Sequence, residues 1–187
     1  MHFKTLAFSI PEHQVNELYK EVDVISRNRK TDLTESNIKY VLNCVGDGQT
    51  VLDAGCGKGY LLSRIKHACP NSRLDGLDLE NHLDYSGITF THGSVTSLPF
   101  ADNAFDIVIC THTIEHIIPL EKAIAELIRI TRKKLIIVTP CQRYYYYSLD
   151  GHVNFFNKKE ELIRHFPLKR FECKKLDGDW VYTGEKL

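Results

Sequence analysis

Apolar residues near the start of the chain recur at helical spacing: Val15, Leu18, Tyr19 and Val22, then Ile38, Val41, Leu42 and Val45. Asp32, with Glu35 three residues on, is a capping-box candidate for the second helix. From Thr50 the pattern changes to short apolar runs bounded by glycine, proline or polar residues. Residues Thr50 to Ala54 read as a buried strand, a glycine-rich turn follows, and Tyr60 to Ala68 reads as a helix stopped by Pro70. Further strands are expected at Leu74 to Leu77, Ile88 to His92, Phe105 to Thr111 and Leu135 to Thr139. A helix from Pro119 to Ile130 would carry Leu120, Ile124, Leu127 and Ile128 on one face. This alternation predicts a doubly wound α/β fold, with helices on both faces of a parallel sheet. At the end, Lys169 to Lys174 and Trp180 to Glu185 flank the turn signal Asp177-Gly178, so an antiparallel hairpin makes the sheet mixed, with about seven strands.

The chain has 187 residues, which suits one core, so residues 1–187 are expected to form a single domain. Within it, 1–48 would supply N-terminal helices or a lid, 49–140 a ligand-binding core, and 141–187 a substrate loop, a helix and the terminal hairpin. Lys and Arg number 24 against 24 Asp and Glu, so no overall field draws in nucleic acid or an anionic membrane. The six cysteines include no CxxC pair, which points to reduced thiols and a cytoplasmic protein rather than a disulfide framework or a zinc ribbon. The opening apolar stretch is cut by Pro11 and Glu12, so neither an export signal nor a membrane span is expected.

The chemistry concentrates in Val51-Leu52-Asp53-Ala54-Gly55-Cys56-Gly57-Lys58-Gly59-Tyr60. Glycines at 55, 57 and 59 allow positive φ and a close backbone approach to a ligand, and the following helix offers free N–H groups. The G-x-G-x-G spacing is not the G-x-G-x-x-G of a dinucleotide site, whose third glycine would fall at Tyr60. Asp53 would repel a pyrophosphate and welcome a cation. Asp78, at the end of the next strand, can accept two ribose hydroxyls. An adenosine-bearing sulfonium meets both demands.

From about Thr50 to Phe166 the sequence resembles the class I S-adenosylmethionine-dependent methyltransferases, of the type 11 kind. The matching landmarks are VLDAGCGKG, the GLD ending in Asp78, GSVTSLPFADNAFDIVI from Gly93 to Ile109, the Glu115-His116 pair, and IIVTP from Ile136 to Pro140. The resemblance implies a Rossmann-like fold and S-adenosylmethionine as methyl donor, with S-adenosylhomocysteine as product. It implies that Asp53, Ala54, Gly55 and Gly57 hold the methionine part and Asp78 the ribose. Leu79 would pack on the adenine, Ser94 and Val95 would meet its edge, and Thr111 would line the path to the sulfonium. The family often has an acid where Ser94 stands, which makes the adenine contact here weaker or water-mediated. Asp106 reads as a structural acid at a strand start.

Methyl transfer to a hydroxyl needs alignment, water exclusion and a proton acceptor. If the segment after the strand ending at Thr111 is helical, His112, Glu115 and His116 share one face, and His152 could complete a four-ligand metal set. The pattern resembles the metal site of small-RNA 3′-end 2′-O-methyltransferases and the E-x-x-E-H segment of ubiquinone-pathway O-methyltransferases, which place Glu at His112. Extra imidazole shifts preference from Mg²⁺ toward Mn²⁺ or Zn²⁺. Without a metal, His112 or His152 is the candidate general base, with Glu115 beside it. Tyr144 to Tyr147 would hang over the strands' carboxyl edge as substrate contacts or an aromatic flap, with Tyr19 as a lid residue. The basic clusters Arg27 to Lys30, Arg132 to Lys134 and Lys158-Lys159 read as solvated surface. The resulting expectation is an O-methyltransferase of a small-molecule or glycosyl hydroxyl. The alternatives are a metal-dependent 2′-O-methyltransferase of an RNA end and a non-catalytic cofactor-binding scaffold or activator subunit.

Overall fold

The computed structural model describes residues 7–11, 13–15, 17, 29–145 and 151–187. Seven strands form one sheet: β1 (Thr50–Ala54), β2 (Arg73–Asp78), β3 (Thr89–His92), β4 (Phe105–Thr111), β5 (Thr131–Pro140), β6 (Arg170–Leu176) and β7 (Asp179–Glu185). Their order is β3-β2-β1-β4-β5-β7-β6, parallel from β3 to β5, with β7 antiparallel to both its neighbours. The hairpin expected from Asp177-Gly178 is present. Both turn residues have positive φ, 48° and 97°, as a two-residue hairpin of matching twist requires. The hairpin also inverts the strand order, because its second strand enters beside β5 and leaves β6 at the edge.

Strand alternation sends each side chain to one of two cores. Leu52, Val108, Cys110, Leu135, Ile137 and Tyr182 pack on one face with α3 (Leu120–Ile130) and α4 (Lys159–Ile163). Val51, Ile107, Ile109, Ile136, Val138 and Val181 pack on the other with α1 (Glu35–Cys44) and α2 (Tyr60–Ala68). Strands buried on both faces read as continuous apolar runs, which explains why β1 and β4 begin and end where the sequence pattern places them. The cap of α1 differs: Thr34 Oγ1 accepts from Asn37 N, whereas Asp32 pairs with Arg29. Of the opening helix, Val15 is buried against Ala7 and Val153, while Leu18, Tyr19 and Val22 lie outside the described residues.

Asp106 is structural, as expected. It accepts from Thr50 N and Thr50 Oγ1 and pairs with Arg132 and Lys133. Burial opposes its charge, but these partners hold its carboxyl well below the usual range. Two of the cations in the Arg132 to Lys134 cluster are thereby committed at the amino edge of β5, away from the carboxyl edge where ligands bind.

Candidate active site

The site lies along the carboxyl ends of the parallel strands. Beyond β1, Gly55, Gly57 and Gly59 adopt φ of 84°, 50° and 75°. At Gly55 a Cβ would come within 2.2 Å of Thr113 Oγ1, and at Gly57 a Cβ would meet nothing within 4 Å. The first glycine is therefore required by packing, and the second faces open space where a ligand could approach the backbone. Gly55 N and Cys56 N donate to Leu77 O, and Gly57 N donates to Asp78 Oδ2 at 2.8 Å, which ties the loop to the end of β2. Asp78 Oδ1 accepts from Leu79 N at 2.7 Å. Gly93 N donates to Asp78 O, which sets Ser94 and buried Val95 beside the same strand end, with Ser94 Oγ 2.8 Å from Thr96 Oγ1.

Asp53 and Ala54 are buried at the end of β1, and Asp53 Oδ1 has no hydrogen-bond partner. Burial, reinforced by the Asp78 charge, pushes the Asp53 carboxyl up to about 8. Such a site favours a ligand that brings positive charge or a donor.

A second group of polar residues sits next to this loop, at the end of β4. Sequence reasoning placed His112, Glu115 and His116 on one helix, and the structure corrects this. His112 has φ 47°, which ends the strand, and only a single 3-10 turn, Ile114–His116, follows. The left-handed residue turns the His112 ring away from the other histidines: its Nε2 lies 3.2 Å from Asp179 Oδ2 and its Nδ1 3.6 Å from Glu115 Oε1. Burial would lower the His112 pKa, but the hydrogen bond to Asp179 and the nearby charge of Glu115 override it and raise it to about 10. His112 is thus an imidazolium at neutral pH, a donor and not a base. Burial likewise opposes the Glu115 charge, and His112 with His116 and His152 holds it below the ordinary range.

His152 arrives by a clamp that sequence alone does not show. Val153 N and Asn154 N both donate to Glu115 O, and Asn154 Nδ2 donates to Ile114 O and Ile117 O. The His116 and His152 rings stand 4.7 Å apart, and ligand atoms of Glu115, His116 and His152 lie within 4.8 Å of one another. The four-ligand set therefore loses His112 and retains three members. Thr111, half-buried, ends β4 beside the two groups, and Thr113 links them by packing on Gly55.

Sequence reasoning also missed Asp179, Asn37, Thr139 and Gln142. Asn37 Nδ2 donates to Asp179 Oδ2 at 2.6 Å, Thr139 Oγ1 donates to Glu115 Oε2, and Gln142 Oε1 accepts from His152 Nδ1. Asp179 reaches the carboxyl edge because, as the first residue of the antiparallel β7, it faces Pro140, the last of β5. Of the tyrosine run, Tyr144 and Tyr145 are exposed and the Tyr144 ring packs edge-on to Phe155, while Tyr146 and Tyr147 lie outside the described residues.

The profile of the family described as "Methyltransferase domain" matches residues 52–139. A Mycolicibacterium smegmatis protein named "Probable S-adenosylmethionine-dependent methyltransferase" is 28% identical over 121 residues, 60% of this chain and 46% of its own length. A demethylmenaquinone methyltransferase of Renibacterium salmoninarum is 33% identical over 109 residues, 53% of this chain and 45% of its own. The chain thus spans about half the length of such curated relatives. A chain of the complex between the Haloferax volcanii Trm112 methyltransferase activator and a methyltransferase shares the fold at TM-score 0.63 and 18% identity, over 79% of this chain and 86% of its own. Profile, relatives and fold agree: over its central part the chain is similar to S-adenosylmethionine-dependent methyltransferases, and its fold is theirs.

Proposed function

We propose that this chain binds S-adenosylmethionine at the glycine loop and methylates an oxygen of a small-molecule or glycosyl hydroxyl. The residues fit the donor. Asp53 offers a buried, unpartnered oxygen to its cationic methionine end, and the open space at Gly57 admits it to the backbone. We assign Asp78 to the ribose hydroxyls and Leu79, Ser94 and Val95 to the adenine, a reading supported by the bonds of Gly57, Leu79 and Gly93 N–H groups to Asp78 at the end of β2. When bound, the donor supplies a methyl group whose bond to sulfur breaks with the electron pair staying on sulfur, while a bond to the acceptor oxygen forms.

The observation that carries the oxygen reading is the placing of His116 and His152 against Glu115, beside Thr111 and one residue pair from the glycine loop. In both imidazoles Nδ1 faces an oxygen that can only accept, Gly151 O for His116 and Gln142 Oε1 for His152. With Nδ1 turned to these oxygens, we assign Nε2 of one of the two rings as the atom that takes the acceptor's hydroxyl proton. Glu115 stabilises the imidazolium formed. His112, already protonated, holds Glu115 in place and is not the base.

The pairing of Arg132 and Lys133 with Asp106 at the opposite edge favours a small acceptor over an RNA end. The test is calorimetric titration of S-adenosylmethionine into the wild type and Asp78→Ala, followed by methyl-transfer assays over hydroxylated acceptors and RNA 3′ ends in wild type and His152→Ala. The expected result is donor binding weakened at least tenfold by Asp78→Ala, and transfer to hydroxyls lost in His152→Ala with donor binding intact. Absence of donor binding overturns the proposal; tight binding with no turnover points to a scaffold or activator subunit; transfer to RNA with steep salt dependence points to the nucleic-acid reading.

A further inference from the structure

Among the described residues the sheet is open at β3 and β6, and β6, with 7 residues, is the longer edge. The hairpin decides which of its backbone groups face outward. Asp177 and Gly178 make a two-residue turn, so Leu176 and Asp179 close it as a hydrogen-bonded pair. Such pairs alternate along an antiparallel ladder, so Arg170, Glu172 and Lys174 also bond to β7. The N–H and C=O groups of Phe171, Cys173 and Lys175 are left pointing away from the sheet, a template for another strand. The side chains are open as well. Phe171 is 47% exposed although its ring stacks on buried Tyr182, and the side chains of Glu172 and Lys174 are 59% and 41% exposed.

We propose that β6 is a self-association edge: two copies of this chain join antiparallel, about a two-fold axis at Cys173, into one continuous sheet. Charge complementarity carries the choice of partner. In this register Glu172 of each copy faces Lys174 of the other, so the opposite-charge pair is made twice. Phe171 faces Lys175 of the second copy, whose stem and ammonium cover the exposed ring. Residues 171, 173 and 175, whose backbone groups point outward, are the ones that exchange hydrogen bonds across the axis. Placing the axis on Arg170, Glu172, Lys174 or Lys175 sets that charge against itself, and placing it on Phe171 pairs only residues 170–172 of the strand. The charges are already held in position: Tyr40 of α1 donates its hydroxyl to Glu172 Oε2, and its ring lies 4.1 Å from Lys174 Nζ. Within one chain Glu172 and Lys174 touch at 3.1 Å, so association joins two such pairs into a ring of alternating charge. Because the strands run oppositely, the carboxyl edges of the two copies point in opposite directions and neither covers the other's glycine loop. The proposal is independent of the methyl-transfer reading.

The experiment is sedimentation equilibrium of the reduced full chain, with hydrogen exchange followed by mass spectrometry at low and high protein concentration. The expected result is a monomer–dimer equilibrium in the micromolar range, with β6 amides exchanging fast in dilute protein and more slowly as concentration rises. Glu172→Lys and Lys174→Glu each set like charges face to face twice, and each should weaken association about tenfold. An equimolar mixture of the two variants restores both opposite-charge pairs between copies and should associate as the wild type does. Cys173→Pro removes an N–H that β7 does not use, so the fold tolerates it and the dimer should be lost. A short bismaleimide should join two wild-type chains and leave Cys173→Ser unlinked. Near-ultraviolet dichroism reports that each variant is folded. A chain that stays monomeric up to about 1 mM overturns the proposal. So does a dimer of unchanged affinity in folded Glu172→Lys, a mixture of the two charge variants that fails to associate, or concentration-dependent protection confined to strands other than β6.

Discussion

Asp53 is a carboxyl that the fold keeps protonated over part of the physiological range. Its folded value near 8 lies above the unfolded one, so its contribution to stability is present below about pH 4 and is lost as pH rises toward 8. In urea melts Asp53→Asn should therefore gain on the wild type across that window, by on the order of a few kcal/mol at its upper end. A cationic ligand reverses the preference: binding should expel a proton near pH 7, and affinity should rise toward pH 8. Calorimetry in two buffers of different ionisation enthalpy measures the released proton, and Asp53→Asn should abolish it. His112 also has a raised pKa, about 10, so its stabilisation is complete below about pH 6.5 and is lost as pH rises through 10. Asp179→Ala strips one partner from a buried pair and should cost about 3 kcal/mol near neutral pH in the same melts. The sequence displayed Asp53 and Asp78 because the glycine spacing and strand ends frame them. It hid Asp179 and Asn37 because their roles depend on β7 entering beside β5, a pairing that no local pattern encodes.

The loop between β1 and α2 ties geometry to ligand most tightly. Gly55→Ala would place a methyl against Thr113 at 2.2 Å in a left-handed conformation and should both destabilise the fold and abolish donor binding. Gly57→Ala meets open space, so it should cost only about 1–2 kcal/mol of backbone strain in thermal melts. Its methyl would still occupy the face where a ligand approaches, and calorimetry should show donor affinity reduced by more than the stability loss accounts for. The apolar runs of β1 and β4 were legible because each is buried on both faces and bounded by polar residues. β5 begins earlier than its apolar run, at Thr131, because Arg132 and Lys133 are drawn into the ladder by Asp106. The turn after β4 misled the sequence reading because a non-glycine residue with positive φ leaves no compositional mark.

The whole molecule divides labour between its two sheet edges. The amino edge is closed by ion pairs around Asp106, whereas the carboxyl edge gathers glycines, unpartnered acid oxygens and imidazoles. No helix among the described residues is long and apolar enough to cross a membrane. Amide exchange should be slowest in β1, β4 and β5, which are buried on both faces, and fastest in the edge strands β3 and β6, as mass spectrometry of exchanged peptides would show. The sheet architecture was legible as a rhythm of strands and helices, and the grouping of residues 112, 115 and 152 was expected; the joining of Asp179 to His112 was not, because it is a property of the assembled edge. Val153 N and Asn154 N on the Glu115 carbonyl, and Cys141 N on Gly178 O, fasten these described residues to the carboxyl edge. Because these bonds run through main-chain atoms, side-chain changes at Cys141 or Val153 would leave both fastenings in place.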